Sequence, residues 1–164
     1  MRIPTNERER LQAASSQAHL RDGGVAAFGH INRVAQEHFK APIAFISIVD
    51  RNEQWFLASI GLPMPVTTRS DAFCSHTILG DDVMVVEDAR LDARFAANPL
   101  VNADPFIRFY AGAPLDFGNG AMIGAVCIAD TVPRSFNTGQ KIVLRNLADI
   151  AVSEMKLRAQ LAAA

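Results

Sequence analysis

The sequence has little with which to cross-link itself. Its 164 residues hold two cysteines, Cys74 and Cys127, too few for a disulfide framework. Both stand in apolar stretches, where reduced, buried thiols are expected, and this points to a reducing, cytoplasmic setting. An excess of one charge is also missing: sixteen Lys and Arg against seventeen Asp and Glu leave a formal net charge of −1. There is no broad field to steer DNA, RNA or an anionic membrane. No run of about 18 apolar residues occurs, so no membrane span is expected. The opening Met1-Arg2-Ile3-Pro4-Thr5 lacks the apolar stretch of a secretory signal. There is no internal repeat, and no low-complexity segment beyond an Ala-rich tail. What is present is material for a core: 49% hydrophobic and 20% charged residues, in a length that suits one domain.

The pattern along the chain predicts an α+β fold. Residues 5–21 read as a polar helix, with Asn6 as N-cap, Glu9 completing a capping box, and apolar positions at Leu11, Ala14 and Ala18. Asp22-Gly23-Gly24 ends it. A second helix covers 25–39, with Ala27, Ile31, Val34, Ala35, His38 and Phe39 near helical spacing, and Pro42 forbids its continuation. Residues 43–49 form a strand. Ile43, Phe45, Ser47 and Val49 share one face and Ala44, Ile46 and Ile48 the other. Both faces are largely apolar, which marks a central strand covered on both sides. Asp50-Arg51-Asn52 turns the chain into a second strand at 54–60. An irregular loop is expected over 62–72, a short helix over 74–79, a strand over 83–86, and a broken polar stretch over 88–102 with a helical turn at 92–97. Strands at 107–115 and 121–129 are joined by Phe117-Gly118-Asn119-Gly120, a hairpin turn. In a final helix over 138–162, Val143, Leu147, Ile150, Glu154, Leu157 and Leu161 step by four and three. That seam suits a partner helix, while Ile142, Leu144 and Ala151 let the first half pack on a sheet. Tight hairpins imply an antiparallel sheet with the terminal helices on one face. The loop-rich layer on the other face, under residues 62–102, is where a ligand pocket is expected.

The chemistry available in that layer is sparse. Cys74 and His76 are two residues apart and do not face each other on a helix. They read either as a thiolate pair or as a small buried Cys beside a hydrogen-bonding His. His30, Glu37 and His38 lack zinc spacing, and no CxxC occurs, so no metal site is assigned. Asp88, Asp92 and Arg94 form either a polar rim with Phe95 as its apolar wall, or turn-stabilising ion pairs. Arg108, Phe109 and Tyr110 precede the small residues Ala111-Gly112-Ala113, which let a ligand or a helix approach the sheet. No phosphate loop is present. The expected pocket is lined by Phe45, Phe73, Cys74, Phe95, Phe109 and Tyr110, with His76 and Asp88 as polar contacts. No catalytic residue and no cofactor follows from these residues.

Several blocks, in order and with ordinary spacing over about residues 25–155, resemble bacterial GAF domains. They are Ala41-Pro42-Ile43-Ala44-Phe45-Ile46-Ser47-Ile48-Val49-Asp50 with Gln54-Trp55-Phe56; Phe73-Cys74-Ser75-His76-Thr77-Ile78; Val86-Glu87-Asp88-Ala89-Arg90-Leu91-Asp92; Ile107-Arg108-Phe109-Tyr110-Ala111-Gly112-Ala113-Pro114-Leu115; and Gly124-Ala125-Val126-Cys127-Ile128-Ala129-Asp130. The resemblance implies a PAS-related central antiparallel sheet of about six strands, with terminal helices on one face and a pocket under short helices and loops on the other. It divides the chain into an N-terminal dimerisation or linker helix (1–24), the GAF domain (25–155) and a helical extension (156–164). The implied function is a non-catalytic sensor that binds a small molecule or relays signals. Its partners would be a second copy bound through the terminal helices and an effector such as a histidine kinase or a cyclic-di-GMP enzyme, with no nucleic acid or membrane. A ligand-free dimerisation and relay domain is one alternative. Another is a free methionine-(R)-sulfoxide reductase-like thiol enzyme, in which only Cys74 could serve because Cys127 lies inside an apolar strand. The cyclic-nucleotide and bilin subtypes fit poorly, since their motif and cysteine context are missing.

Overall fold

The computed structural model describes residues 1–21 and 25–163; the helix stop expected at Asp22-Gly23-Gly24 lies outside them. Every residue of strand β1 (Ile43–Val49) is buried, as its two apolar faces require. β1 pairs on one side with β2 (Glu53–Ile60) and on the other with β6 (Met122–Asp130), which is likewise buried throughout. β3 (Val66–Thr68), β4 (Met84–Val86) and β5 (Phe109–Asp116) complete a six-stranded antiparallel sheet in the order β3-β2-β1-β6-β5-β4. β1 and β6 approach closely at Gly124, where a Cβ would overlap the Ser47 carbonyl.

Strand alternation sorts the side chains into two cores. Ala44, Ile46 and Ile48 meet Phe28, Ile31 and Ala35 of α2 (Ala26–Phe39) and Leu144, Ala148 and Ala151 of α5 (Thr138–Ala163). Ile43, Phe45 and Val49 meet the opposite layer, built from α3 (Cys74–Thr77), 3-10 turns at Arg69–Asp71 and Ala89–Leu91, and α4 (Pro99–Asn102). Side-chain caps hold these short pieces: Thr68 accepts from the Asp71 amide, Asp88 from Arg90 and Asn98 from Leu100.

Several local expectations are corrected. The segment 62–72 is not wholly irregular. It carries the edge strand β3, too short and too polar to show alternation. Within 88–102 the helical pieces fall at 89–91 and 99–102, while 92–97 is a run of turns. The first helix, α1 (Glu7–Ser15), is shorter than 5–21 and continues as a 3-10 turn, Ala18–Leu20. Its Asn6 makes no side-chain cap; the amide donates instead to the Gly120 carbonyl at 3.0 Å. Ala18 is exposed, and Gln17 and Leu20 are buried in its place. On α5 the sheet-facing stripe is Leu144, Leu147, Ala148, Ala151, Val152 and Met155, so Ile142 points to solvent and Leu147 leaves the seam.

The first helix is fixed by charge. Arg10 is fully buried and donates to the Val49 carbonyl at 2.6 Å and to Glu7 at 2.8 Å. Arg69, also buried, donates to the same carboxylate at 2.5 and 3.1 Å. Two desolvated guanidinium groups therefore share one carboxylate, and neither tolerates its loss. Burial alone would raise the Glu7 carboxyl. The hydrogen bonds and charges of Arg10 and Arg69 outweigh that and lower it from 4.5 to about 2. With the folded value below the unfolded one, this contribution is complete above pH 4.5 and disappears as the pH falls towards 2. Glu7→Gln should cost about 3 kcal/mol at neutral pH by urea denaturation, and the gap to wild type should close as the pH falls through that window. Equal stability at pH 7 would contradict the clamp.

Candidate functional site

The loop-side core is built around aromatic rings. Phe73, just before α3, stacks on Phe95 with centroids 4.1 Å apart and planes 3° from parallel. Tyr110 of β5 lies 5.1 Å from Phe73, and Phe45 of β1 packs edge-on against Phe56 at 5.3 Å. The His76 ring meets Phe95 edge-on at 4.8 Å, at the border of this cluster. Phe45, Phe73, Cys74, Phe95 and Tyr110 thus converge, all buried, and their rings fill the space beneath α3.

Phe109 is not brought there. It neighbours Tyr110 on a strand, so it faces the helix side, where it packs against Phe136 at 5.7 Å and the Arg134 guanidinium at 5.8 Å. Asp88 also stands apart. It caps the turn after β4 and grips Arg90 through bonds of 3.0 and 2.7 Å, which holds its carboxyl below the usual value. Asp92 and Arg94 repeat the arrangement. Asp88 instead borders a surface cleft of about 770 Å³, whose walls include Val86, Glu87, Leu91, Pro133 and Arg134.

Beneath the rings lies a small polar knot. The Cys74 Sγ is 3.4 Å from the Cys127 Sγ and 3.4 Å from the Tyr110 hydroxyl. That hydroxyl lies 3.2 Å from the Cys127 Sγ and 2.8 Å from the Thr77 Oγ1. Cys127 lies inside an apolar strand as expected, and β6 alternates so that it joins Ala125 and Ala129 on the α3 side, against Cys74. Matching 121–129 against the faces of 43–49 would have revealed this; Thr77 carried no such signal. Burial pushes the Cys127 thiol and the Tyr110 phenol up. Burial acts the same way on Cys74, but the surrounding groups, Cys127 first, then Ser47 and Tyr110, make it the more acidic thiol. His76 is lowered by burial and by Arg94, against a smaller opposing effect of Asp92. Among the described residues, no group of three or more His, Cys, Asp or Glu side chains is placed to hold a metal ion.

An antiparallel sheet with helices on one face and a capped, turn-rich layer on the other defines an α+β module. More narrowly, the fold is that of a GAF domain. The GAF domain of a phosphoenolpyruvate-protein phosphotransferase from Coxiella burnetii superposes with a TM-score of 0.69 at 16% identity, covering 96% of this chain and 94% of that one. The blue-light absorbing PixJ GAF domain of Thermosynechococcus elongatus gives 0.65 at 13% identity, covering 91% and 94%. Free methionine-R-sulfoxide reductase from Neisseria meningitidis gives 0.67 at 20% identity, covering 94% and 92%. In sequence, a cyclic di-GMP phosphodiesterase of Pseudomonas aeruginosa is 45% identical over 131 residues, 80% of this chain. The match spans 22% of that relative's length. No family model matches the chain.

The ring stack makes a quantitative demand. Phe95→Ala should destabilise the protein by about 3–5 kcal/mol in urea denaturation and leave an apolar cavity that small aromatics partly refill. A loss below about 1 kcal/mol would mean that the layer is not packed on the sheet as described.

Proposed function

We propose that this chain is a sensory or regulatory GAF module of bacterial signal transduction, acting in the cytoplasm as a non-catalytic binding and relay element. The observation that carries this reading is the double character of α5. Its first half is packed on the sheet, with Met155 as its last buried residue, and the helix then continues to Ala163. Ile150, Leu157 and Leu161 remain 54, 49 and 62% exposed. A helix anchored on a sheet and apolar on its free side transmits a shift of that sheet to a second helix. We assign that second helix to another copy of the chain, with residues 25–155 as the module and 1–24 and 156–164 as its dimerising and linking flanks.

The 45% identity to one segment of a cyclic di-GMP phosphodiesterase supports an effector of that class, as does the fold shared with a sensor histidine kinase domain of Sinorhizobium meliloti. The state of the polar groups favours recognition over turnover: Asp88 and Asp92 are each tied to an arginine, and both thiols are sealed. In the ligand-binding form of this reading, a small molecule separates the Phe73–Phe95 pair from Phe45, Cys74 and Tyr110, with His76 at the entrance. The close ring stacking favours a second reading, a ligand-free relay domain.

Light scattering should find a dimer that the double substitution Leu157→Glu and Leu161→Glu converts to a folded monomer, whose melting temperature no longer depends on protein concentration. A wild-type monomer at all concentrations would overturn the relay. A metabolite that raises the melting temperature by linkage identifies the sensory form; an intact dimer that no metabolite stabilises identifies the ligand-free form.

A further inference from the structure

Two free cysteines, 53 residues apart in the sequence, place their sulfurs 3.4 Å apart in the loop-side core. A disulfide needs about 2.05 Å between sulfurs, so the 3.4 Å separation leaves an approach of about 1.4 Å between the two states. The two partners are not equally free to make it. Cys127 sits in β6, paired with Phe45 of β1 on one side and Gly112 of β5 on the other. Cys74 opens α3, a helix of four residues held mainly by bonds within its own turns. The surroundings are also chemically apt. Tyr110 places its hydroxyl at both sulfurs, and Thr77 meets that hydroxyl in turn.

We propose that Cys74 and Cys127 close to an internal disulfide when the protein meets hydrogen peroxide, so that the knot beneath α3 is an oxidant-responsive modification site. Local opening of α3 admits the oxidant, which is scarcely larger than water. The Cys74 sulfur attacks one peroxide oxygen and the O–O bond breaks. Cys74 becomes a sulfenic acid, and the other oxygen leaves as water with the thiol proton. The Cys127 sulfur then attacks the Cys74 Sγ. The S–O bond breaks, and hydroxide leaves with the Cys127 proton as a second water. Two thiols have lost two electrons, and one peroxide has gained them. Cys74 is the attacking thiol because it moves with α3; Cys127 resolves because the sheet fixes it. The bond draws α3 onto the sheet and takes both thiol contacts from Tyr110, a change that does not depend on any ligand.

The test uses the full chain, treated with hydrogen peroxide, unfolded in the presence of N-ethylmaleimide and weighed by mass spectrometry. The expected product is monomeric, two hydrogens lighter and unalkylated. It yields a cross-linked Cys74–Cys127 peptide and reverts with dithiothreitol. Cys127→Ser should instead stop at a sulfenic acid on Cys74 that dimedone traps, with the melting curve of the untreated variant confirming that it folds. Alkylation of both cysteines in wild type, under conditions that already oxidise its methionines, would overturn the proposal. So would a disulfide that joins two chains.

Discussion

The structure depends on β1 and β6 being covered on both faces. Two adjacent strands buried at every position can exist only if each face finds an apolar layer and the backbone groups find partners in the sheet. The sheet satisfies the second need through β2 and β5, and Gly124 lets the two strands close without a side chain between them. The first need divides the molecule. On one face, α2 and α5 lay down long apolar stripes. On the other, a stretch with no long helix must do the same work with short turns and large rings. Phe73, Phe95 and Tyr110 supply there the area that Leu and Ile supply opposite. The loop layer is thus dense yet locally held, since its caps and turns are bonds among near neighbours.

Charge serves mainly to fasten ends. Glu7 joins two buried arginines and so ties α1 to the 3-10 turn after β3. Arg134 does similar work elsewhere. It pairs with Asp130 and donates to the carbonyls of Phe39 and Lys40 at 2.6 Å, binding the end of α2 to the end of β6. Arg90 and Arg94 neutralise Asp88 and Asp92 of the loop layer. With charges consumed in this way, the loop face offers shape and apolar area, which suits binding and transmission.

The sequence carried the fold because its strongest patterns are regular. The short apolar run over 43–49, closed by the Asp50-Arg51-Asn52 turn, the Asn119-Gly120 turn and the helical spacing of 25–39 and 138–162 each point to one kind of element. Short or long-range features were not legible. β3 has three residues and no alternation, and Glu7 gains its role only when Arg69, 62 residues away, folds beside it. The candidate site was legible by composition more than by direction. The sequence grouped Phe109 with Tyr110 as neighbours, whereas a strand sends neighbours to opposite faces. It placed Cys127 inside an apolar strand without matching that strand's faces to those of 43–49, so its contact with Cys74 went unread.

A firmly held sheet beneath a layer that opens locally is the claim on which both the sensory reading and the thiol chemistry rest. Native-state amide hydrogen exchange tests it most directly. Amides of β1 and β6 should exchange only with the free energy of global unfolding, and those of α3 and residues 89–102 at a distinctly lower cost. If α3 is as strongly protected as β6, the layer and the sheet are one cooperative unit, and the account is wrong.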